Sequence, residues 1–281
     1  MVKGPGRLQV VATPIGNLND LSTRAHQALA EADVVAAEDT RHTLGLLQAI
    51  GVSKPMVSLH AYNEGQRVPD LLARLGAGEV IALVSDAGTP LLSDPGYELV
   101  SAAANAGFEV HVIPGPSAIT AALAVAGLPT SRFCFEGFLP SRSRERRTEL
   151  ARLARETRTL VFFEAPHRIA ETLADMVSEF GSERRAVVAR ELTKTHETIY
   201  RGKLSELVLL STHDANFQRG EITLVVSGAE EVASTVDAQL LKRAVELLAK
   251  ELPPGKAASI AARLTGAPRS EAYALIQKAD T

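Results

Sequence analysis

The sequence predicts an α/β protein made of two αβ domains, followed by a small helical C-terminal domain. Three observations support this prediction. Strand-like and helix-like segments alternate through the first half, strand-like and aromatic segments follow, and the last segment is helical throughout. Alternation at this spacing is typical of a parallel sheet with crossover helices. We place the domains at residues 1–128, 129–233 and 234–281.

The N-terminal domain is predicted to contain five strands, each a short apolar run that ends in turn residues. These runs are LQVVATP, DVVAAED, MVSLH, EVIALVSD and EVHVIPG. Between and after them lie segments with helical periodicity, the first with Ser22 or Asp20 as its cap. These segments are LSTRAHQALAEA, TLGLLQAIG, VPDLLARLGAG, GYELVSAAANAG and SAITAALAVAG. The N-terminal domain is therefore predicted to hold a parallel sheet.

The second domain is predicted to hold a mixed, partly antiparallel sheet and at least one helix, HRIAETLADMVSEFG. Its strand segments are RFCFEGFLP, RTLVFFEAP, RRAVVAREL, ETIYRGKLSEL and GEITLVVSG. After Gly228 the chain is typical of a linker, and three helical segments follow. The last two predict a helix-turn-helix that turns at Gly266 and Pro268, which suits an RNA-docking module and a helical cap equally well.

Composition narrows the functional class. The chain has 281 residues, of which 46% are hydrophobic and 22% charged, and its formal charge is −3. This balance is that of an ordinary globular protein without a general attraction to nucleic acid. Cys134 is the only cysteine, which excludes disulfides within the chain and a cysteine-rich zinc site. No apolar run suits a signal peptide or a membrane span, so we expect a cytoplasmic protein, and the histidine spacing predicts no metal site.

Three glycine- and proline-rich turns each follow a predicted strand: ATPIGN, SDAGTPLLSDPG and IPGPSA. Glycine lets a backbone approach a ligand closely, and proline fixes the turn. Because parallel strands end at one edge of the sheet, we expect the turns to line one crevice. The chain lacks a Walker phosphate loop, and Asp86 and Asp94 would repel phosphates. The crevice is therefore predicted to bind a cationic or hydroxyl-rich ligand, such as an adenosine-bearing sulfonium compound.

Five motifs, VATPIGNLNDLS, AEDTRHT, SDAGTPLLSDPG, PGPSA and FFEAPHR, resemble in order and spacing the tetrapyrrole methylase superfamily. Within it they look most like the ribosomal branch, the 16S rRNA (cytidine-2′-O)-methyltransferases, from about Leu8 to the C-terminus. SDAG stands where tetrapyrrole-modifying relatives typically show Gly-Asp-Pro, which favours this branch. Methylation of a precorrin-like tetrapyrrole on the same scaffold is the alternative.

The resemblance implies a fold with two αβ domains of the tetrapyrrole methylase type and a cofactor cleft between them. It implies S-adenosyl-L-methionine as the methyl donor, and a homodimer. It also implies small-subunit ribosomal RNA, free or in the assembled 30S subunit, as the partner. Carried over residue by residue, it places nine residues beside the cofactor: Pro14, Asp86, Ala87, Gly88, Thr89, Ser117, Ala118, Phe163 and Thr223.

A ribose 2′-hydroxyl is weakly acidic, so its methylation benefits from a group that accepts its proton. Candidates follow predicted strands on the side of the three turns: Glu38, Asp39, Arg41 and His42, with His60, Asn63 and Glu64 further along. In this interpretation Arg41 holds a phosphate, and His42 or a carboxylate accepts the proton. The alternative is a helix start, with Asp39 or Thr40 as its cap and the charges solvated.

The segment SRSRERRTELARLARETR carries seven arginines against three glutamates. A net positive segment in an acidic protein predicts a phosphate-binding surface, although Glu–Arg pairs along a solvated helix produce a similar pattern. Arginines also attract the carboxylates of a tetrapyrrole, so the segment alone leaves the substrate open. For Arg168 the alternative is an ion pair with Glu164. The residues expected to contact RNA are Arg142, Arg144, Arg146, Arg147 and Arg168.

Overall fold

The computed structural model describes residues 6–230 and 238–279. The chain divides into two compact units, Met1–Ala229 and Glu230–Thr281. Both β-sheets belong to the first unit. The predicted boundary near Ser234, with most of the predicted linker, lies outside the described residues.

The first sheet is fully parallel, as the alternating pattern predicts. Its strands are β1 (Arg7–Val11), β2 (Val34–Ala37), β3 (Met56–Ser58), β4 (Val80–Val84) and β5 (Glu109–Ile113). They are ordered β3-β2-β4-β1-β5, and every pairing is parallel. The carboxyl ends of all five strands therefore lie along one edge, where the turns that follow them come together.

Two pairs of helices cover the two faces of this sheet. They are α1 (Thr23–Glu31), α2 (Thr40–Ala49), α3 (Glu64–Gly76) and α4 (Tyr97–Asn105). Leu29 and Leu47 bury α1 and α2 against one face, and Leu75 and Leu99 bury α3 and α4 against the other. Ser22 caps α1 by accepting a hydrogen bond from the Ala25 amide, which confirms one of the two predicted caps.

The second sheet is mixed, which confirms the prediction for this region. Its strands are β6 (Phe133–Phe138), β7 (Thr159–Glu164), β8 (Arg185–Arg190), β9 (Thr198–Lys203) and β10 (Ile222–Val226). The order is β6-β7-β10-β8-β9, with β6 and β7 parallel and the other pairs antiparallel. The predicted strand over 197–207 is wrong in its last four residues, because a helix begins at Leu204.

Helices also cover both faces of the second sheet. They are α5 (Ala118–Ala126), α6 (Ser143–Leu153), α7 (Ile169–Phe180) and α8 (Leu204–His213). Leu150, Leu173 and Leu207 pack α6, α7 and α8 on one face. The opposite face is covered by α5 through Ile119 and Leu123. Although α5 follows the last strand of the first sheet, it packs against the second sheet, so it joins the two layers.

The second unit is helical and has its own apolar core. It consists of α9 (Ala238–Glu251), α10 (Pro254–Thr265) and α11 (Arg269–Ala279). Leu241, Ala258 and Ile276 contribute one buried residue from each helix. Gly266, with φ of +71°, ends α10 in the left-handed conformation that suits glycine, so the predicted turn is confirmed. None of the helices in the described part of the chain is long and apolar enough to cross a membrane.

Candidate cofactor and active site

The three glycine- and proline-rich turns form one continuous surface, as the sequence predicts. The Thr13 amide donates to the Gly88 carbonyl at 2.8 Å, and the Gly88 amide donates back at 3.1 Å. The Thr89 hydroxyl donates to the Pro116 carbonyl at 3.0 Å. Gly88 has φ of +83°, and a Cβ placed there would lie 3.1 Å from the Ile15 side chain. Glycine at position 88 thus permits the close contact of the turns after β1 and β4.

A cavity of about 370 Å³ lies between this surface and the second sheet, within the roughly 300–1,000 Å³ range of small-molecule sites. The turns after β1, β4 and β5 contribute Ile15, Ala87, Gly88, Thr89, Leu92, Asp94, Ser117 and Ala118. The second sheet and its loops contribute Phe138, Phe163, Glu164, Ala165, Pro166, Ala189, Leu192, Gly220, Glu221, Ile222 and Thr223. Seven of the nine residues predicted beside the cofactor are among them, whereas Pro14 and Asp86 are not.

An aromatic wall forms the second-sheet side of the cavity. The Phe163 ring lies 4.9 Å from the Phe135 ring and 5.6 Å from the Phe138 ring, measured between centroids. Phe138 is exposed, and the sequence interpretation missed it. Strict alternation along a strand would put residues 135 and 138 on opposite faces, but a bulge shifts the register between Phe135 and Gly137. Gly137, with φ of +66°, is the sequence signal that such a bulge leaves.

The charged residues that line the cavity are all acidic: Asp94, Glu164 and Glu221. Glu164 accepts hydrogen bonds from the Ala165 amide at 2.8 Å and from the Thr172 hydroxyl at 2.6 Å. Glu221 lies 3.1 Å from the Lys194 ammonium. Asp94 forms no ion pair within the described residues. Burial raises the pKa of its carboxyl above the usual value; a hydrogen bond with Ser85 lowers this pKa and the charge of Asp86 raises it, with a net increase. The negative charge of the cavity is therefore least compensated at Asp94.

Glu38 extends this acidic group beyond the cavity wall. It follows β2, and burial raises the pKa of its carboxyl above the usual 4.5, with further increases from the charges of Asp94 and Asp86. Asp86 accepts a hydrogen bond from the Asp39 amide at 3.1 Å, which joins the turn after β4 to the turn after β2. Glu38, Asp86 and Asp94 thus form one rim of carboxyl groups. Within the described residues, no group of three or more His, Cys, Asp or Glu is arranged to hold a metal ion.

The remainder of the AEDTRHT motif begins a helix. Asp39 caps α2 by accepting from the Arg41 amide at 2.8 Å, as one of the two interpretations predicts. The Arg41 guanidinium donates to the same carboxylate at 2.6 Å, which holds the pKa of Asp39 well below its usual range. Arg41 is 89% exposed but already has an anionic partner. His42 is exposed in the first turn of α2.

Two further residues proposed from the sequence, Asn63 and Glu64, stabilise local structure. Glu64 is buried and accepts hydrogen bonds from the amides of Gly96 at 2.8 Å and Glu98 at 3.2 Å, so it holds the start of α4. Asn63 accepts from the His60 amide at 2.8 Å and donates to the Ser58 carbonyl at 3.1 Å. These contacts account for Glu64 and Asn63 without a ligand.

Two of the five arginines expected at an RNA surface are held by contacts within the protein. The Arg146 side chain is 1% exposed, and its Nε lies 2.7 Å from the Asp175 carboxylate on α7. Arg168 donates to the carbonyls of Leu139 at 2.7 Å and Pro140 at 3.0 Å, and lies 3.3 Å from Glu164. Both guanidinium groups therefore stabilise the fold and do not face a phosphate from solution.

The other arginines of α6 are exposed, but most have an acidic partner. Arg142 pairs with Glu145 at 3.1 Å, and Arg147 pairs with Glu179 of α7 at 2.7 Å. Among the residues expected to contact RNA, only Arg144 is exposed and makes no ion pair within the described part of the chain. The net positive charge that the segment shows in sequence is thus largely neutralised by acids from α7.

Comparison with known families gives two matches. A family described as Tetrapyrrole (Corrin/Porphyrin) Methylases matches residues 7–208, and one described as RsmI C-terminal HTH domain matches residues 234–279. Two relatives carry the name ribosomal RNA small subunit methyltransferase I. The protein from Xylella fastidiosa (strain Temecula1) is 51% identical over 96% of this chain and 98% of its own length. The protein from Pseudomonas aeruginosa is 50% identical over 95% of each chain.

Among solved structures, the chain is similar to uroporphyrin-III C-methyltransferase from Thermus thermophilus, determined in complex with S-adenyl homocysteine. The TM-score is 0.55, with 21% sequence identity over 79% of this chain and 97% of that one. At this level of identity the likeness shows the fold, including the pair of αβ layers described above.

Proposed function

The chain belongs to the family of tetrapyrrole (corrin/porphyrin) methylases, and we propose that it transfers a methyl group from S-adenosylmethionine to the 2′-oxygen of a cytidine in 16S ribosomal RNA. The observation that carries this proposal is the near-full-length similarity to relatives named ribosomal RNA small subunit methyltransferase I. The similarity extends through the helical C-terminal unit, which a separate family match also covers. The same names favour ribosomal RNA over a tetrapyrrole as the methyl acceptor.

The cavity suits S-adenosylmethionine in size, charge and lining. Phe138 and Phe163 offer aromatic surface for an adenine ring, and Ser117 and Thr223 offer hydroxyl groups. The lining residues include no lysine or arginine, and the weakly compensated carboxyl of Asp94 favours a cation. When bound, S-adenosylmethionine supplies an electrophilic methyl group on a positively charged sulfur. Asp86 does not line the cavity. Its carboxylate accepts a hydrogen bond from the Asp39 amide and so holds the turn after β2 beside the turn after β4.

Glu38 is the residue that best fits the role of proton acceptor. A carboxylate with a raised pKa is a stronger base, and a base whose pKa approaches the working pH is more effective. Glu38 acquires its raised pKa from burial and from Asp94, which lines the cavity. In this role its carboxylate takes the proton that leaves the ribose 2′-hydroxyl. Asp39 and Arg41 then position the turn after β2, because Asp39 caps α2 and binds Arg41, while His42 is exposed in the first turn of α2.

The remaining parts of the proposal rest on the family resemblance and on the sequence. From the resemblance, the protein acts as a homodimer on small-subunit ribosomal RNA, free or within the assembled 30S subunit. From the sequence pattern, it acts in the cytoplasm and needs no metal ion. Arg142, Arg144 and Arg147 remain available at the exposed side of α6 for secondary contacts with RNA, since their side chains reach solvent.

The test is transfer of label from methyl-labelled S-adenosylmethionine. Small ribosomal subunits from cells that lack this methylation and a tetrapyrrole precursor are offered in parallel. We expect label in 16S RNA, at a linkage that alkali does not cleave, because a 2′-O-methyl group removes the nucleophile of alkaline RNA cleavage. Label in the tetrapyrrole would contradict the proposed substrate, while cofactor binding without transfer to either acceptor would contradict the proposed activity.

A further inference from the structure

We propose that an exposed face of α10 and α11 is the main RNA-docking surface of the protein; this inference rests on the proposed function. Its first support is the distribution of charge along the chain. Residues 238–279 contain seven Lys or Arg and three Glu, a formal charge of +4. The whole chain has 30 basic and 33 acidic residues, so the rest carries 23 and 30, a charge of −7. A polyanion is therefore attracted to the helical unit more than to the remainder of the chain.

The second support is that three of these cations form no ion pair within the described residues. Arg142, Arg147 and Arg152 of the α6 region each pair with a glutamate at 2.7–3.1 Å. In contrast, Lys256, Arg263 and Arg269 are exposed and form no ion pair within the described residues. An unpaired arginine or lysine can bind a phosphate without first breaking an internal pair. Of the two basic segments in the sequence, the α6 region has most of its arginines in ion pairs, so mainly the cations of α10 and α11 are available to bind phosphate.

The third support is the arrangement of the three cations. Lys256 and Arg263 are seven residues apart on α10, so they lie on nearly the same face, about 10 Å apart along the axis. The Arg269 guanidinium, at the start of α11, lies 3.4 Å from the Gly255 carbonyl, beside Lys256. The first turns of both helices thus present positive charge together. We call Lys256, Arg263 and Arg269 the α10–α11 basic face.

The exposed side of α11 adds groups that suit nucleotides. Ser270 and Tyr273 are exposed; Tyr273 lies four residues after Arg269 and three after Ser270, so it neighbours both on the surface of the helix. In a helix-turn-helix, residues near the N-terminus of the second helix contact the nucleic acid. Tyrosine stacks on unpaired RNA bases, while serine donates to phosphate or sugar oxygens. The residue types on this side therefore match an RNA that presents unpaired nucleotides.

The test compares two triple variants of the full-length protein. One removes the α10–α11 basic face (Lys256→Ala, Arg263→Ala and Arg269→Ala), and the matched control removes three exposed arginines of the α6 region (Arg142→Ala, Arg144→Ala and Arg152→Ala). Affinity for transcribed 16S RNA is measured as a function of salt, alongside affinity for S-adenosylmethionine. We expect the first variant to bind RNA at least about tenfold more weakly, with a salt slope reduced by about 2, since each single-strand phosphate contact contributes roughly 0.7. The control should change both much less, and neither should alter cofactor binding.

A further pair of variants tests the stacking role. Tyr273→Phe keeps the ring, and Tyr273→Ala removes it. We expect RNA binding to be retained in the first and reduced about 5-fold or more in the second, in line with typical base-stacking contributions. Unchanged RNA affinity in the α10–α11 triple variant, or an equal loss in the α6 control, would overturn the inference. If the wild-type protein methylates RNA while the triple variant binds like wild type, only the inference fails; if the wild type neither binds nor methylates RNA, the proposed function fails.

Discussion

The carboxyl rim of the cavity and the arginine-rich helix α6 both carry many charged residues, but within the described residues those of α6 are mostly paired with opposite charges and those of the rim are not. On α6, Arg146 and Arg147 meet acids of α7 at 2.7 Å. At the rim, Glu38 and Asp94 lie near other acids and partly out of water, and the pKa of each is raised. Removing one partner of a buried ion pair is strongly destabilising, whereas uncompensated and desolvated charge is itself costly and is concentrated at functional sites. The carboxyl groups of the rim are therefore stronger candidates for a functional role than the arginines of α6.

Arg146→Ala should give the largest effect on stability. It removes the guanidinium that is buried against Asp175, and losing one partner of a buried pair costs about 3–5 kcal/mol. The free energy of unfolding from denaturant titration measures this cost. Arg144→Ala, an exposed neighbour without an ion pair, should change it by less than about 0.5 kcal/mol. Equal effects of the two variants would remove the contrast between paired and free arginines.

Glu38→Gln should reduce single-turnover methyl transfer by about 100-fold or more, the usual contribution of a general base. Cofactor affinity should stay within a few-fold, because Glu38 does not line the cavity. His42→Ala is the matched control and should retain most of the activity. A large loss in His42→Ala with an active Glu38→Gln would transfer the role of base to the histidine.

The pH dependence of the wild-type rate also tests whether Glu38 is the proton acceptor. Only the deprotonated carboxylate accepts a proton, so the rate should rise as pH increases through the pKa of Glu38, which lies above the usual 4.5. The rise should be absent in Glu38→Gln. Single-turnover rates across the acidic pH range, with protein integrity checked by circular dichroism, measure this. An identical rise in both proteins would assign the titration to another group.

Gly88→Ala should weaken cofactor binding about tenfold or more. The new Cβ meets Ile15, and a non-glycine residue at φ of +83° is strained by roughly 1–2 kcal/mol. Gly51→Ala is the control, because Gly51 has φ of +70° but open space around its Cβ position. Both variants should lose similar stability in thermal unfolding, while calorimetry should show weaker cofactor binding only for Gly88→Ala. Equal cofactor affinities of the two variants would show that Gly88 does not contribute to the cofactor site.

Asp94→Asn should give the smallest effect on stability, and in the opposite direction. Burial raises the folded-state pKa of Asp94, so the stabilising contribution of its protonated form is present below the unfolded-state pKa and is lost as pH rises through the folded-state value. At neutral pH the charged form is therefore a cost, and Asn should raise Tm slightly while weakening cofactor binding. A lower Tm at pH 7, or unchanged cofactor affinity, would argue against a desolvated and uncompensated Asp94 carboxylate at the cavity.

Local sequence was sufficient to predict the two sheets and the positions of the Gly/Pro turns. Apolar runs and the Gly/Pro turns depend on neighbouring residues, so the parallel direction of the first sheet and the meeting of the turns at one edge follow from pattern. The strand order β3-β2-β4-β1-β5 and the contact of Gly88 with Thr13 are known only from the structure. Long-range effects escaped prediction. Asp175 lies 29 residues from Arg146, so the neutralisation of α6 is invisible in the segment itself. Phe138 reaches the cavity only through the bulge at Gly137.

Nucleoside analysis of the methylated RNA would identify the atom that receives the methyl group. Wild-type protein is incubated with labelled S-adenosylmethionine and unmethylated small subunits, and the 16S RNA is digested to nucleosides and identified by mass spectrometry. We expect the label to be recovered as 2′-O-methylcytidine, and Glu38→Gln to abolish most of it. Label in a base-methylated nucleoside, or none in RNA while the cofactor binds normally, would contradict the proposed function.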